Sequence, residues 1–394
     1  MTLEVGVRRH LDQVEGLEQE WVELHERSGA ALPFSAPEWA VTWLRHFTGP
    51  GPDSPLVVEV REAGELVGVA PLYQHRMRGG LVRLQPVGTG VEWVGPFEVP
   101  SMLAAAGRGR DVGRAVVEHL CRVEPGWDWA NVALGEAAPW LEPEWLPDPS
   151  FTSMVRHVVG AVVLDLRVDR PEDVLAGHRN LKESLRRARN RLTKEFGPEG
   201  WRVHRHALPD DVDAALGRLM RLHGERAAAD GHRETHLDVF ESARVRAYVT
   251  DVVHRLALRD RVRVYEVETG GEVLAAQLVL RTATAGYASV SGVSEQGWRF
   301  SSVTHLLWQA VVDSHAAGHA ELNLSIGPNQ AKLRWSDQVR HFPDYVVLGP
   351  RRRSRTAYLA AQTAAAVRSY REAVRAHGAP KAGLPQEKGA GPQA

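Results

Sequence analysis

Five lysines (Lys182, Lys194, Lys332, Lys381 and Lys388) stand among the 48 basic residues, so arginine is the default cation of this chain. A lysine retained in such a background is a candidate for chemistry. Two of the five belong to the C-terminal tail, whereas Lys332 does not. Its ammonium, a strongly hydrated point charge, could stabilise an oxyanion or hold an anionic group of a substrate. Histidine titrates near neutrality and can take a proton from an ammonium or a hydroxyl, so the 18 histidines include candidates for a general base. Gln296-Gly297-Trp298-Arg299-Phe300-Ser301-Ser302 falls between a strand and a helix. A helix N-terminus beside a strand offers free N–H groups and a positive dipole to a pyrophosphate or a phosphopantetheine phosphate. Gln296, Gly297, Arg299, Ser301 and Ser302 are therefore candidate donor-binding residues, with Ser302 as the expected N-cap. Acyl transfer from a thioester to an amine needs this kind of set: a neutral amine, donors aimed at the oxyanion, and a group to manage the leaving thiolate. His204 and His206 alternate on a strand, but no third ligand accompanies them at metal-site spacing, so no metal is expected.

The elements that must position these residues follow from periodicity. The first half reads as a strand (Leu3–Val7), helices (Leu11–Arg27, and Glu38–Phe47 opened by Pro37), and three strands (Leu56–Val60, Leu66–Tyr73, Leu81–Val87). A helix over Asp111–Arg122 and strands over Trp129–Leu134 and Val158–Leu166 complete it. Residues 167–177 are polar, hold a Pro and a Gly, and read as a linker. Much of the order then recurs: helix His178–Glu195, strand Trp201–His206, helices Asp210–Ala229 and Val239–Arg255. The hairpin Val262–Glu268 and Val273–Arg281, strand Gly286–Val293, helix Ser302–Ala317 and strands Glu321–Ile326 and Tyr345–Leu348 follow. An Ala-rich helix over 355–377 precedes a tail rich in Pro, Gly and Lys that is expected to be disordered. A period near 170 residues implies duplicated domains rather than a solenoid. Trp93, Trp127, Trp129 and Trp140 are assigned to packing.

Composition narrows the function classes. A 43% hydrophobic and 25% charged composition is that of a soluble globular protein, and a net charge of −1 gives the molecule as a whole no electrostatic case for nucleic acid or an anionic membrane. Cys121 is the lone cysteine, so an internal disulfide and CxxC metal or redox sites are excluded. Charged residues within the first fourteen positions argue against a secretory leader, and no window approaches a membrane span, so a cytoplasmic location is expected. The arginine, alanine, glycine and proline bias suggests a GC-rich bacterial genome.

Three meandering strands, a helix and a strand form the core order of the GNAT acetyltransferase superfamily. Four segments of the second half resemble the bacterial tandem-acyltransferase family of the CelD type, itself related to the Fem aminoacyltransferases. Asn180-Leu181-Lys182-Glu183-Ser184-Leu185-Arg186-Arg187 is similar to its basic helix, and Leu222-His223-Gly224-Glu225-Arg226, with Gly231, to its "LHxxR" segment. Gln296–Leu307 stands where the family opens a long helix. Asn323–Trp335 resembles "D-x-x-x-G-x-x-x-Y-K-x-x-W", which places Lys332 on the motif lysine. Ser301-Ser302-Val303 replaces the superfamily's donor-loop glycines, Asn323 the Asp and Ala331 the Tyr, so a carrier-protein thioester stands beside coenzyme A as the implied donor.

The resemblance implies an α/β (α+β) fold of two tandem GNAT-like domains, each a mixed, mostly antiparallel sheet flanked by helices. They would span 1–166, degenerate and helping to form the acceptor cleft, and 178–350, with a helical then disordered tail over 351–394. It implies an N-acyltransferase with acyl-CoA or acyl carrier protein as cosubstrate, and an amine of a small molecule, sugar or peptide as acceptor. Its place would be bacterial secondary metabolism or envelope biosynthesis. His223 and Lys332 would be catalytic, and Arg226, Ser289 and Asn323 would bind substrate. A non-catalytic binding protein of the same fold and a Fem-like transferase using aminoacyl-tRNA are the alternatives. The helix carrying Arg179, Lys182, Arg186, Arg187, Arg189, Arg191 and Lys194 could meet phosphates, a carrier protein or transfer RNA, although nucleic acid is not the expected partner.

Overall fold

The computed structural model describes residues 2–29, 32–89, 99, 101–124, 126–135, 140–228 and 238–377. Gly231, His232, His236, Trp93 and the tail beyond 377 lie outside them. The strands are β1 (Leu3–Arg8), β2 (Asp53–Glu62), β3 (Glu65–Arg76), β4 (Val82–Pro86), β5 (Leu103–Ala104), β6 (Trp129–Ala133) and β7 (Thr152–Asp165). The second half adds β8 (Trp201–His206), β9 (Val262–Thr269), β10 (Glu272–Arg281), β11 (Ala285–Val293), β12 (Glu321–Ile326) and β13 (Val339–Leu348). The helices are α1 (Leu11–Glu15), α2 (Glu18–Arg27), α3 (Pro37–Phe47), α4 (Gly109–Arg122), α5 (Arg179–Phe196) and α6 (Pro209–Ala228). They continue with α7 (Ala243–Ala257), α8 (Glu295–Arg299), α9 (Ser302–Ala316), α10 (Gln330–Leu333) and α11 (Arg352–His377). Among the described residues no helix is long and apolar enough to cross a membrane.

All of these strands join one mixed sheet in the order β1-β2-β3-β4-β6-β13-β7-β12-β11-β10-β9-β8, with β5 added beside β3. From either edge inwards the pattern is the same. Four antiparallel strands lead to a parallel neighbour, β6 beside β4 or β12 beside β11. Next comes a strand lent by the other half: β13 pairs β6, and β7 pairs β12. The two lent strands then pair with each other, antiparallel, from Val339–Val162 to Leu348–Thr152. Each half therefore closes its sheet with the other's last strand.

This exchange explains why both central strands outrun their sequence signals. The expected starts at Val158 and Tyr345 fall at Thr152 and Val339. Met154, Val155 and Val158 are 42%, 50% and 53% exposed, so no clean alternation marks the added length. It is held by backbone pairing with a distant partner strand, which local pattern does not encode.

Helices follow their stripes more closely. α5 buries Leu181, Leu185, Ala188 and Leu192 and turns its cations outward. The 167–177 segment is a short helical turn, Pro171–Leu175, that inserts Leu175 beneath α5. One hydrophobic cluster spans both halves. In it Phe34 meets Tyr287 edge-on at 4.9 Å and Trp39 meets Tyr248 at 5.8 Å. Trp127 and Trp129 are buried as expected, but Trp140 is 63% exposed and packs no core. Cys121 is buried, which pushes its thiol up to about 12 and leaves it inert as a nucleophile.

Candidate active site

β11 is hydrogen-bonded to β10 along its length but to β12 only at its start, through Ala285–Glu321, Gly286–Leu322 and Tyr287–Asn323. Both strands are irregular just beyond. Ser289 and Val290 stand opposite Leu278 alone, so β11 bulges. In β12 the register slips between Asn323 and Ile326, and Ser325 takes φ 73, a left-handed value that strains a residue with a side chain. A bulge on each strand turns the two away from one another. At the parting, Ser289 Oγ and Asn323 Nδ2 are buried without a hydrogen-bond partner among the described residues. Asn323 is 2% exposed, and its Oδ1 accepts from the Ser325 N–H at 2.8 Å. Buried polar atoms in native proteins are nearly always satisfied, so these two stand out at the parting.

Lys332 lies at the far end of β12. The short helix α10 is capped by Asn329, whose Oδ1 accepts from the Lys332 N–H at 3.0 Å. The Lys332 ammonium reaches back to the carbonyl of Ile326, the last residue of β12. Trp335 packs into the core of the second half. Exposed Arg334 instead lines an open groove of about 660 Å³ with Ser184, Arg187, Asn190, Arg191 and Lys194 of α5. Glu183, at its edge, is held down to about 2 by hydrogen bonds from Arg186 and then Arg187. The groove stays strongly positive.

His223 is placed differently from what general-base chemistry asks. It sits on α6, 7% exposed, with Nδ1 donating to the Ser291 carbonyl at 3.0 Å and Nε2 accepting from the Val239 N–H at 3.5 Å. Its ring is edge-on to Phe240 at 5.3 Å. Both nitrogens hold the protein together. Arg226, one turn on, brings Nη1 to 3.5 Å from Ser291 Oγ and lays its guanidinium 5.2 Å from the Trp298 ring. His223 and Arg226 thus converge on Ser291, and α6 is seated closely there: a Cβ on Gly292 would lie 2.6 Å from the Leu219 carbonyl oxygen.

The segment 296–302 is a helical turn followed by a second helix, rather than one loop. Ser294 caps α8 by accepting from the Gly297 N–H at 3.1 Å, and Gly297 is obligatory because a Cβ would come within 2.2 Å of the Leu274 carbonyl oxygen. Gln296 and Arg299 face a groove of about 590 Å³ shared with Arg218 and Glu225 of α6. The N-cap of α9 is Ser301, at φ 55 and ψ 39, one residue before the expected Ser302. Ser301 Oγ accepts from Arg191 of α5 at 3.1 Å, which ties the start of α9 to the basic groove. Ser302 is wholly buried with an unpartnered Oγ among the described residues. The structure therefore divides the candidates. Ser289, Asn323, Lys332 and Ser301 border the parting strands and the basic groove, while His223, Arg226, Gln296 and Arg299 lie towards α6. His204 and His206 pair with Glu268 at 2.7 Å and Glu266 at 2.8 Å. Among the described residues no group of three His, Cys, Asp or Glu could hold a metal.

Sequence reasoning missed two features. One was the parting of β11 and β12, whose only local trace is the Gly327-Pro328 turn after β12. The other was Asn131, the counterpart of Asn323 in the first half.

Residues 179–333 match the family model described as "Acetyltransferase (GNAT) domain". The second half thus carries an acyltransferase domain. The fold is similar to the crystal structure of FemX, at a TM-score of 0.57 and 11% identity, covering 84% of this chain and 95% of that one. It is also similar to a conserved protein of unknown function from Bacteroides thetaiotaomicron, at a TM-score of 0.50 and 10% identity over 88% and 99%. A tandem GNAT protein from the clavulanic acid biosynthesis pathway aligns over 89% and 99% at a TM-score of 0.43 and 14% identity. No curated protein matches the chain.

Proposed function

We propose that the chain transfers an acyl group from a thioester, acyl-CoA or acyl carrier protein, to the amine of a small molecule, sugar or peptide in bacterial cytoplasmic biosynthesis. The donor's pantetheine arm lies between β11 and β12. The observation that carries this is the pair of unsatisfied buried groups, Ser289 Oγ and Asn323 Nδ2, where the parallel strands part. A pantetheine arm is a chain of amides, which offers matching donors and acceptors to these groups and to the strand edge left open. Its phosphate end extends past Ser301 to Arg187, Arg191, Lys194 and Arg334, where it meets the cations as charge-assisted hydrogen bonds.

In the reaction a neutral amine attacks the thioester carbonyl, forming the C–N bond and a tetrahedral oxyanion. Collapse breaks the C–S bond, and the proton lost from nitrogen ends on the thiolate or in water. Lys332 supplies the positive charge near the β12 terminus that favours the oxyanion or the departing thiolate. His223, with both nitrogens engaged, positions β11 rather than taking the proton. Arg226 and Ser291 line the acceptor's approach, together with the first half, and the roughly 170-residue N-terminal half acts as a domain that completes the cleft.

Thermal-shift titration with coenzyme A, acetyl-CoA and an acyl carrier protein tests the donor site, because a ligand of the native state raises Tm by mass action. Acylation of a panel of amines then tests the chemistry. A shift without turnover would select the non-catalytic alternative. Salt-sensitive transfer RNA binding without a thioester-induced shift would select the Fem-like one.

A further inference from the structure

α5 turns two polar faces to solvent, and the acyl-transfer reading uses only one of them. Ser184, Arg187, Arg191 and Lys194 line the basic groove together with Arg334. Arg179, Lys182, Arg186 and Arg189 recur at helical spacing on the other side of the ridge, and none of them lines that groove. All four are exposed. Arg186 shares Glu183 with Arg187, at 2.7 and 2.8 Å, whereas Arg179, Lys182 and Arg189 have no ion pair among the described residues. Other surface helices of the chain are built differently. Arg114 of α4 and Arg221 of α6 each pair with a glutamate one turn on, Glu118 at 2.9 Å and Glu225 at 2.6 Å. Like charges three and four residues apart destabilise a helix, so the outer stripe of α5 carries a cost that those helices avoid. The whole chain has a net charge of −1, which makes this helix a positive island on a molecule otherwise acidic in balance.

We propose that the outer stripe is the docking surface for a small acidic carrier protein, which delivers the acyl group on a phosphopantetheine arm into the adjoining groove. The inference rests on the acyl-transfer reading and names the donor within it. Reach is the first reason. The stripe runs about 15 Å along the helix axis and faces away from the groove, so a nucleotide seated in the groove cannot also meet it. An acidic helix laid along α5 can. Charge is the second. A small partner touching only this patch meets cations alone, and complementary potentials of that kind steer encounter and fix register. An extended polyanion would also overlie the acidic remainder. RNA recognition relies besides on exposed aromatic platforms. Phe196 and Trp201, at the C-terminal end of α5, are instead packed against Phe300 at 5.2 Å and His305 at 5.6 Å. In the transfer, the C–S bond of the carried thioester breaks as the C–N bond to the amine forms. The proton lost from nitrogen ends on the carrier's thiolate or in water.

The test compares an acetyl-loaded acyl carrier protein with acetyl-CoA, each titrated into the full chain and into Lys182→Glu/Arg189→Glu. Both substituted side chains are exposed, so the fold is retained, and a thermal melt checks it. The native chain is expected to bind the carrier saturably by fluorescence anisotropy, less tightly as salt is raised. The double reversal should weaken carrier binding at least about tenfold and leave acetyl-CoA binding within about twofold. The loaded carrier should bind several-fold more tightly than its apo form, which lacks the arm. Carrier binding that survives the reversal, or that is equal for the loaded and apo forms, would overturn the proposal. So would a reversal that weakens acetyl-CoA equally, because the stripe would then serve the groove. Transfer RNA that binds more tightly than the carrier and is lost on reversal would assign the stripe to nucleic acid instead. Acetyl-CoA binding without carrier binding would overturn this inference alone, whereas failure of both donors would overturn the acyl-transfer reading with it.

Discussion

Asn131 and Asn323 occupy the same place in the two halves of the sheet. Each is the third residue of its strand, in β6 and β12. Each pairs across to a strand lent by the other half, Asn131 to Val346 and Asn323 to Val163. Each is nearly inaccessible, at 3% and 2% exposure, and each leaves one amide atom without a partner among the described residues. The two halves thus share a buried polar position although they share few letters, and in both that position lies at the end of a parallel strand pairing.

Removing Ser289 Oγ should separate binding from stability. An unsatisfied buried hydroxyl contributes nothing to the fold, so Ser289→Ala should leave Tm unchanged or slightly raised. Donor affinity should fall up to about tenfold, the worth of one hydrogen bond. Tm by calorimetry and KM for the thioester read the two quantities. A lower Tm with unchanged KM would remove Ser289 from the donor site.

Lys332→Ala should reduce kcat more than tenfold, whereas Lys332→Arg should recover part of it, because charge is kept but the point-like geometry is not. The half-exposed ammonium bonds the Ile326 carbonyl, and the stability cost of losing that bond should be about 1 kcal/mol. Single-turnover acylation and urea melts measure both. Full activity in Lys332→Ala would dismiss the residue from catalysis.

His223→Asn can still donate to the Ser291 carbonyl and should retain activity within about tenfold with an unshifted pH profile. His223→Ala leaves that buried carbonyl unpaired and opens a cavity, which should cost roughly 2–4 kcal/mol. Loss of the acidic limb of the pH–rate profile in His223→Asn would restore the general-base assignment instead.

Stability should fall as pH drops from about 6.5 towards 4. His25, His305 and His319 are buried, and desolvation lowers each to about 4 in the folded chain against about 6.5 unfolded. The unfolded chain therefore binds more protons in that window, and stability present above pH 6.5 is lost on acidification. His305 Nε2 has no partner among the described residues, so His305→Leu should remove one proton from this dependence at little cost at pH 7. Urea midpoints between pH 4 and 7.5 would show whether the slope shrinks.

Because each half is completed by the other's strand, the halves should unfold together. Val346→Asp buries a charge in β13, on the strand beside β6, and should cost more than about 4 kcal/mol and abolish the folding of both halves. Coincident loss of Trp39 and Trp335 burial in a single transition is the expected observation. Two separated transitions would contradict the interlock.

The sequence by itself determined most of the strand and helix order, because apolar periodicity is local: Leu181, Leu185, Ala188 and Leu192 announce α5, and Trp201–His206 reads as β8 to the residue, whereas β5, α8, α10 and the break between α1 and α2 are too short to leave such a pattern. It also put Gly297 between β11 and α9. Tertiary structure alone decided the rest. The exchange of β7 and β13 depends on backbone pairing across more than 170 residues, which leaves no pattern in either strand. His223 looked like a base because its type and spacing fit, and only the Ser291 carbonyl and the Val239 N–H show where its nitrogens are spent. The parting at Asn323 is likewise made by strands from separate parts of the chain, so no reading along the chain could have found it.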